Sequence, residues 1–265
     1  QLTASINNQE KNMKKRHLVY AIALIVGMGA CAASAKKQAE AKPDVWKSYN
    51  VGTVLFEDKA SETKGSDIYH RIIPDAESYI KEQARTVLAT LYNSPEDSIT
   101  PVNKIHYTLE DIEGISAKGG GNGDVTIFYS TRHIEKSFAE NDTAKLFFET
   151  RGVLLHELTH AYQLEPQGIG SYGTNRVFWA FIEGMADAVR VANGGFDGPN
   201  ARPKGGNYMD GYRTAGYFFV WLRDNKDPEF LRKFNRSTLE VIPWSFDGAI
   251  KHILGFQLWV ASLYS

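Results

Sequence analysis

Residues 151–163 read RGVLLHELTHAYQ, and how this stretch folds decides the rest of the chain. Successive residues of an α-helix turn by about 100°, so side chains four apart lie nearly above one another. A helix here sets His156 and His160 on one face, with Glu157 beside them. Two imidazoles at that spacing can share a metal ion, and the carboxylate can reach a metal-bound water without binding the metal itself. The same HExxH pattern also occurs in ordinary helices, where the histidines are core or surface residues. The flanks favour the metal. Val153, Leu154, Leu155, Leu158, Ala161 and Tyr162 are apolar, and Glu157 is the only charge from residue 152 to 163. A buried carboxylate beside two imidazoles needs a partner, and a dication supplies one.

A catalytic zinc takes three protein ligands and keeps one position open. Pro166 stands six residues after His160, so no histidine is available there. The segment FIEGMAD, 181–187, offers Glu183 and Asp187, four apart and therefore on one helix face. Glu183 can supply the third ligand. Asp187, one turn on, can accept a hydrogen bond from the outer nitrogen of His156 or His160 and so fix the ring. The alternative is a solvated polar stripe, for which Phe178, Trp179, Phe181, Ile182 and Met185 leave little room.

The surrounding chain has 265 residues, 43% apolar and 23% charged, the composition of a globular protein. Residues 1–12 read as an over-extended start ahead of Met13. Residues 13–30 carry Lys14, Lys15 and Arg16 before a short apolar run, the pattern of a secretory signal. Cys31, the only cysteine, stands where a bacterial lipoprotein signal places its lipidated residue; cleavage after Ala35 is the alternative. The expectation is an exported protein, anchored at the cell surface or in the periplasm through a lipid on Cys31, or otherwise secreted. Residues 31–46 read as a tether, and 47–265 as one domain.

Residues 1–30 hold Lys11, Lys14, Lys15 and Arg16 against Glu10, so their removal leaves 26 basic and 30 acidic side chains. That balance shows no nucleic-acid footprint. The glycine run 119–123 lacks the lysine and helix start of a phosphate loop, which argues against nucleotide binding. His70, His106, His133 and His252 have no partner at ligand spacing and read as structural or surface residues.

VGTVLFED, NKIHYTLED and VTIFYS read as strands, with GGGNGD at 119–124 as a glycine-rich turn before the last. Residues 74–93 read as a helix with Pro74 in its first turn. After residue 140 the periodicity is helical. One helix spans about Thr143 to Gln163, a second VFWAFIEGMADAVRVA, and a third GYRTAGYFFVWLRD. A fourth opens at DPEFLRKFN with Asp227 as its cap, and the tail from Phe246 holds one or two more. Strands followed by helices predict the α+β class, a small mixed sheet with one helix and then a helical part.

GVLLHELTHAYQ, followed by EGMADAVR and then DGYRTAGYFFVWL, resembles the plant basic secretory protein family and its bacterial relatives. These are zincin-like proteins regarded as metallopeptidases. The resemblance runs over most of residues 50–263. It implies His156 and His160 as zinc ligands and Glu157 as the catalytic base. The Glu-x-x-x-Asp spacing is also similar to that of thermolysin-like peptidases, which favours Glu183 as the third ligand and Asp187 as the residue behind a histidine. Two features depart from the family: the chain beyond residue 30 is not basic, and Phe256 stands where an acidic residue is expected before Gln257-Leu258-Trp259.

The resulting expectation is a zinc-dependent endopeptidase acting on peptides or proteins. Glu157 takes a proton from the attacking water and delivers it to the leaving amine. The oxyanion needs a second donor, for which Tyr212 is the candidate; the competing reading has it packed in the core. VTIFYS would line the cleft and pair with extended substrate. Two other readings stay open, a surface-anchored binding module without turnover and a peptidase directed at glycoproteins. Glu157, present here, argues against the first.

Overall fold

A computed structural model describes residues 44–137, 142–196 and 200–255, all within a unit that runs from Asp44 to the end of the chain. The expected signal, Cys31 and most of the tether lie outside the described residues, as do Phe256 and the tail after it. Trp46, the last residue of the expected tether, is buried and meets Tyr49 edge-on at 5.5 Å.

The class is α+β. Four strands, β1 (Thr53–Asp58), β2 (Lys104–Glu110), β3 (Ser116–Gly121) and β4 (Asp124–Ser130), form one mixed sheet in the order β1-β2-β4-β3. β1, β2 and β4 are parallel, and β3 is antiparallel to β4. Alternate residues of a strand share a face. The register therefore sets Val54 beside Ile105 and Val125, Phe56 beside Tyr107 and Ile127, and Leu109 beside Tyr129, in one apolar layer.

Eight helices follow or intervene among the described residues: α1 (Lys64–Ile72), α2 (Ala76–Leu91), α3 (Thr131–Ser137), α4 (Thr143–Tyr162), α5 (Arg176–Ala192), α6 (Tyr212–Asn225), α7 (Phe230–Glu240) and α8 (Phe246–Leu254). α4 is apolar nearly all round because it is central. Leu146, Val153, Leu154, Leu155, Leu158, Ala161 and Tyr162 are all buried, against α2, α5 and the sheet. Two hydroxyls tie it to the strand layer: Tyr129 meets Thr150 Oγ1 at 3.2 Å, and Tyr162 donates to the Val51 carbonyl at 2.7 Å. α5 and α6 cross closely because glycine stands at the crossing on both. A Cβ at Gly184 would lie 2.6 Å from Ala215 Cβ, and one at Gly216 would lie 2.9 Å from Asp187 Cβ. Beneath them Phe181, Phe219, Phe234, Trp244 and Phe246 form an aromatic cluster with centroid distances from 4.7 to 6.1 Å.

Several local expectations need correction. The turn at 119–124 is only Asn122-Gly123, both at positive φ, the tight hairpin geometry that this dipeptide favours. Gly119 to Gly121 belong to β3. VTIFYS, as β4, lies between β2 and β3, so both its edges are already paired and it cannot accept a substrate strand; among the described residues β3 is the edge strand on that side. Pro74 precedes the helix, which Asp75 caps by accepting from Ser78 N at 3.0 Å. α7 begins at Phe230 with Glu229 in the cap position, while Asp227 accepts from Glu229 N in the preceding turn at 2.9 Å. α1 and α3 have no counterpart in the sequence expectation.

Candidate metal centre

The second half of α4 carries His156, Glu157 and His160 into a cleft of about 810 Å³. One turn apart, the two imidazoles meet at right angles, ring centres 4.7 Å apart and Nε2 atoms 3.0 Å apart. α5 brings Glu183 to the same point, held there by the Gly184 crossing and by Asn175, whose side chain caps the helix at Val177 N and Phe178 N. Glu183 Oε2 lies 3.3 Å from His156 Nε2 and 3.6 Å from His160 Nε2. The three residues offer ligand atoms within 4.8 Å of one another, and among the described residues they are the one group that could hold a metal ion in this way.

The outer nitrogens are also engaged. His156 Nδ1 lies 2.7 Å from Asp187 Oδ1, the contact expected for a residue behind a ligand. Behind His160 stands Gln163, whose side-chain amide is 2.8 Å from Nδ1. The sequence reading did not assign Gln163 a role, although it lies one turn after His160 in the opening stretch. Its amide nitrogen faces Nδ1 while its Oε1 is buried without a partner. A half-turn of the amide lets Oε1 accept from Nδ1–H, which leaves the His160 Nε2 lone pair facing Glu183 and His156.

Glu183 is the least satisfied group of the set. Its Oε1 accepts from the Tyr172 hydroxyl at 2.5 Å, but its Oε2 is buried and has no hydrogen-bond partner among the described residues. A buried carboxylate oxygen left so is costly unless a cation faces it. The donor set, two imidazole nitrogens and one carboxylate oxygen with a bonded residue behind each histidine, fits a catalytic zinc. Burial opposes the charged forms here, but mutual pairing outweighs it. Asp187 and then Glu183 raise His156 to about 10, and His156 and His160 hold Glu183 well below the usual carboxylate range.

Glu157 is buried and lines the cleft beside the histidines. Tyr212 is 47% exposed, so the core reading fails; its ring stacks on His156 at 6.2 Å and 13° and meets Trp179 edge-on at 5.3 Å. Tyr172, from the glycine-rich loop between α4 and α5, is a second cleft tyrosine that sequence reasoning missed. Burial, and for Tyr172 the Glu183 carboxylate, raise both phenols, so both stay protonated donors near neutral pH. The remaining described histidines each pair with one carboxylate: His70 with Asp58, His106 with Glu57, His133 with Glu149 and His252 with Glu240.

The chain matches, over residues 51–265, the family described as BSP, peptidase of plants and bacteria. The match spans most of the chain, so the protein belongs to this family of peptidases. No curated protein and no solved structure matches it.

Proposed function

We propose that the protein is a zinc-dependent endopeptidase, with His156, His160 and Glu183 as metal ligands and Glu157 as general base. The observation that carries this reading is the buried Glu183 Oε2, which makes no hydrogen bond and converges on the two inner imidazole nitrogens. Zinc, when bound, acidifies a water and polarises a carbonyl oxygen. Glu157 takes the proton of the attacking water and passes it to the leaving amine. Asp187 and Gln163 hold the two imidazoles in one tautomer and orientation. Tyr212, on the ring of His156, donates to the oxyanion as charge develops, and Tyr172 holds the far oxygen of Glu183. β3 supports binding of extended substrate. Among the described residues it has one strand neighbour, and Ser116, Ala117 and Lys118 line the cleft, so its other edge can pair with a peptide backbone.

The pH dependence of zinc uptake tests this reading without a turnover assay. Without metal, His156 has a pKa near 10, above its unfolded value near 6.5, so its imidazolium stabilises the fold fully below about 6.5 and less as pH rises through 10. Zinc needs the neutral ring and must displace that proton. Zinc affinity should therefore rise about tenfold per pH unit between pH 6 and 8 for the one proton displaced, read by competition with a chromophoric chelator. A flat profile would contradict the ligand set. Peptide hydrolysis should stop on chelation and return with zinc.

A further inference from the structure

Beyond Asp187 the cleft wall carries two guanidinium groups that the reaction does not use. Arg190 stands on α5 seven residues after Glu183, so the two lie about 10 Å apart along the helix axis and on nearly the same face. It is buried, and the fold makes room for it. A Cβ at Gly152, inside α4, would lie 2.4 Å from Arg190 Nε and 2.7 Å from its Cζ. Glycine is a poor choice within a helix, so its place here follows from the guanidinium that crosses it. Phe196 lies against the same group, with Cζ 3.9 Å from the ring centre. Nη2 donates to Glu149 Oε2 at 2.7 Å, Nε is buried with no acceptor, and Nη1 has no acceptor among the described residues. Arg213 follows Tyr212 and has its Cζ 5.4 Å from the same Phe196 ring. It is exposed, and among the described residues no carboxylate pairs with it.

Glu149 pairs with both Arg190 and His133, and Arg213 is left without a carboxylate among the described residues. At the metal end Glu183 and Asp187 are held by imidazoles, and Glu157 lines the cleft as a third acid. One uncompensated charge, planar donors and an aromatic floor suit a monoanionic carboxylate. We propose that Arg190, Phe196 and Arg213 form a subsite for one carboxylate of the substrate, so that the protein selects acidic peptides. The proposal rests on the peptidase reading of the neighbouring site. About 10 Å corresponds to roughly three residues of extended chain, which puts the carboxylate two to three residues from the scissile bond. It can come from an Asp or Glu side chain or from the end of the substrate chain; the chemistry is the same.

Three sets of hexapeptides separate the sources. One has both ends blocked and a single Glu walked through a neutral sequence. A second has Gln in its place. The third has Gln and a free C-terminal carboxylate. Two quantities are read: kcat/KM with the wild type, and the dissociation constant by fluorescence anisotropy with Glu157→Gln, which reports recognition without turnover. A Glu at one position should improve both by about tenfold over Gln, and the ratio should fall to near one in Arg213→Gln. Arg213→Glu should reverse the preference, favouring Gln over Glu at that position. Preference for the third set over the second assigns the subsite to the chain terminus. Zinc content and melting temperature, measured on each Arg213 variant, confirm an intact fold. No preference in either readout, no binding of any peptide, or a preference that survives Arg213→Gln overturns the proposal. Binding preference without any cleavage supports the subsite and counts against the peptidase reading.

Discussion

Glu183→Ala is expected to yield an essentially metal-free and inactive protein, whereas Asp187→Asn keeps zinc with affinity lowered 10–100-fold. The two carboxylates are one helical turn apart, but their geometry differs. Glu183 Oε2 faces the inner nitrogens of both histidines and has no other partner. Asp187 Oδ1 meets the outer nitrogen of His156 at 2.7 Å. Removing Glu183 takes away a ligand and leaves the Tyr172 hydroxyl without its acceptor. In Asp187→Asn the amide oxygen can still accept from Nδ1–H, so the ring stays oriented and only its basicity drops. Zinc titration of both variants checks this, with Glu183→Gln as a control that keeps the packing. A metal-free Asp187→Asn beside a Glu183→Ala that binds normally would invert the assignment.

The second large effect falls on turnover alone. Glu157→Gln should lower kcat for peptide hydrolysis by about 10²–10⁴ while zinc content stays unchanged. Glutamine keeps the shape of a side chain buried in α4, so packing changes little, but it cannot take a proton from water. Steady-state kinetics on a cleaved peptide, with metal analysis of the same sample, separates the two roles. A variant that loses zinc with its activity would make Glu157 a ligand, and one that keeps its activity would remove it from the mechanism.

The parts of this site that could be read from sequence are those that helical periodicity carries. His156 and His160 are tied by one turn of α4, and Glu183 and Asp187 by one turn of α5, so their faces follow from spacing alone. Gln163 and Arg190 obey the same rule, one turn after His160 and two after Glu183, and their spacing was a signal left unused. Tyr172 had no such signal, because the path of a loop is set by the elements it joins and not by any repeat within it. β3 was hidden by composition: three consecutive glycines read as a turn, yet they pair with β4 as a strand, Gly120 at a φ of 82° that glycine takes without strain. α1 was hidden by Gly65 and Ser66, weak helix formers, although Thr63 caps it by accepting from Ser66 N at 3.2 Å. Tyr212 was placed on its helix by periodicity, but its φ of 41°, just after Gly211, turns it to the cleft and not to the core.

Metal analysis of the wild-type protein, purified without chelator, is the most direct measurement of the central claim. About one zinc per chain is expected, lost in His160→Ala, whose remaining ligands are His156 and Glu183. A folded wild-type protein that contains no zinc and takes none up when zinc is supplied would contradict it.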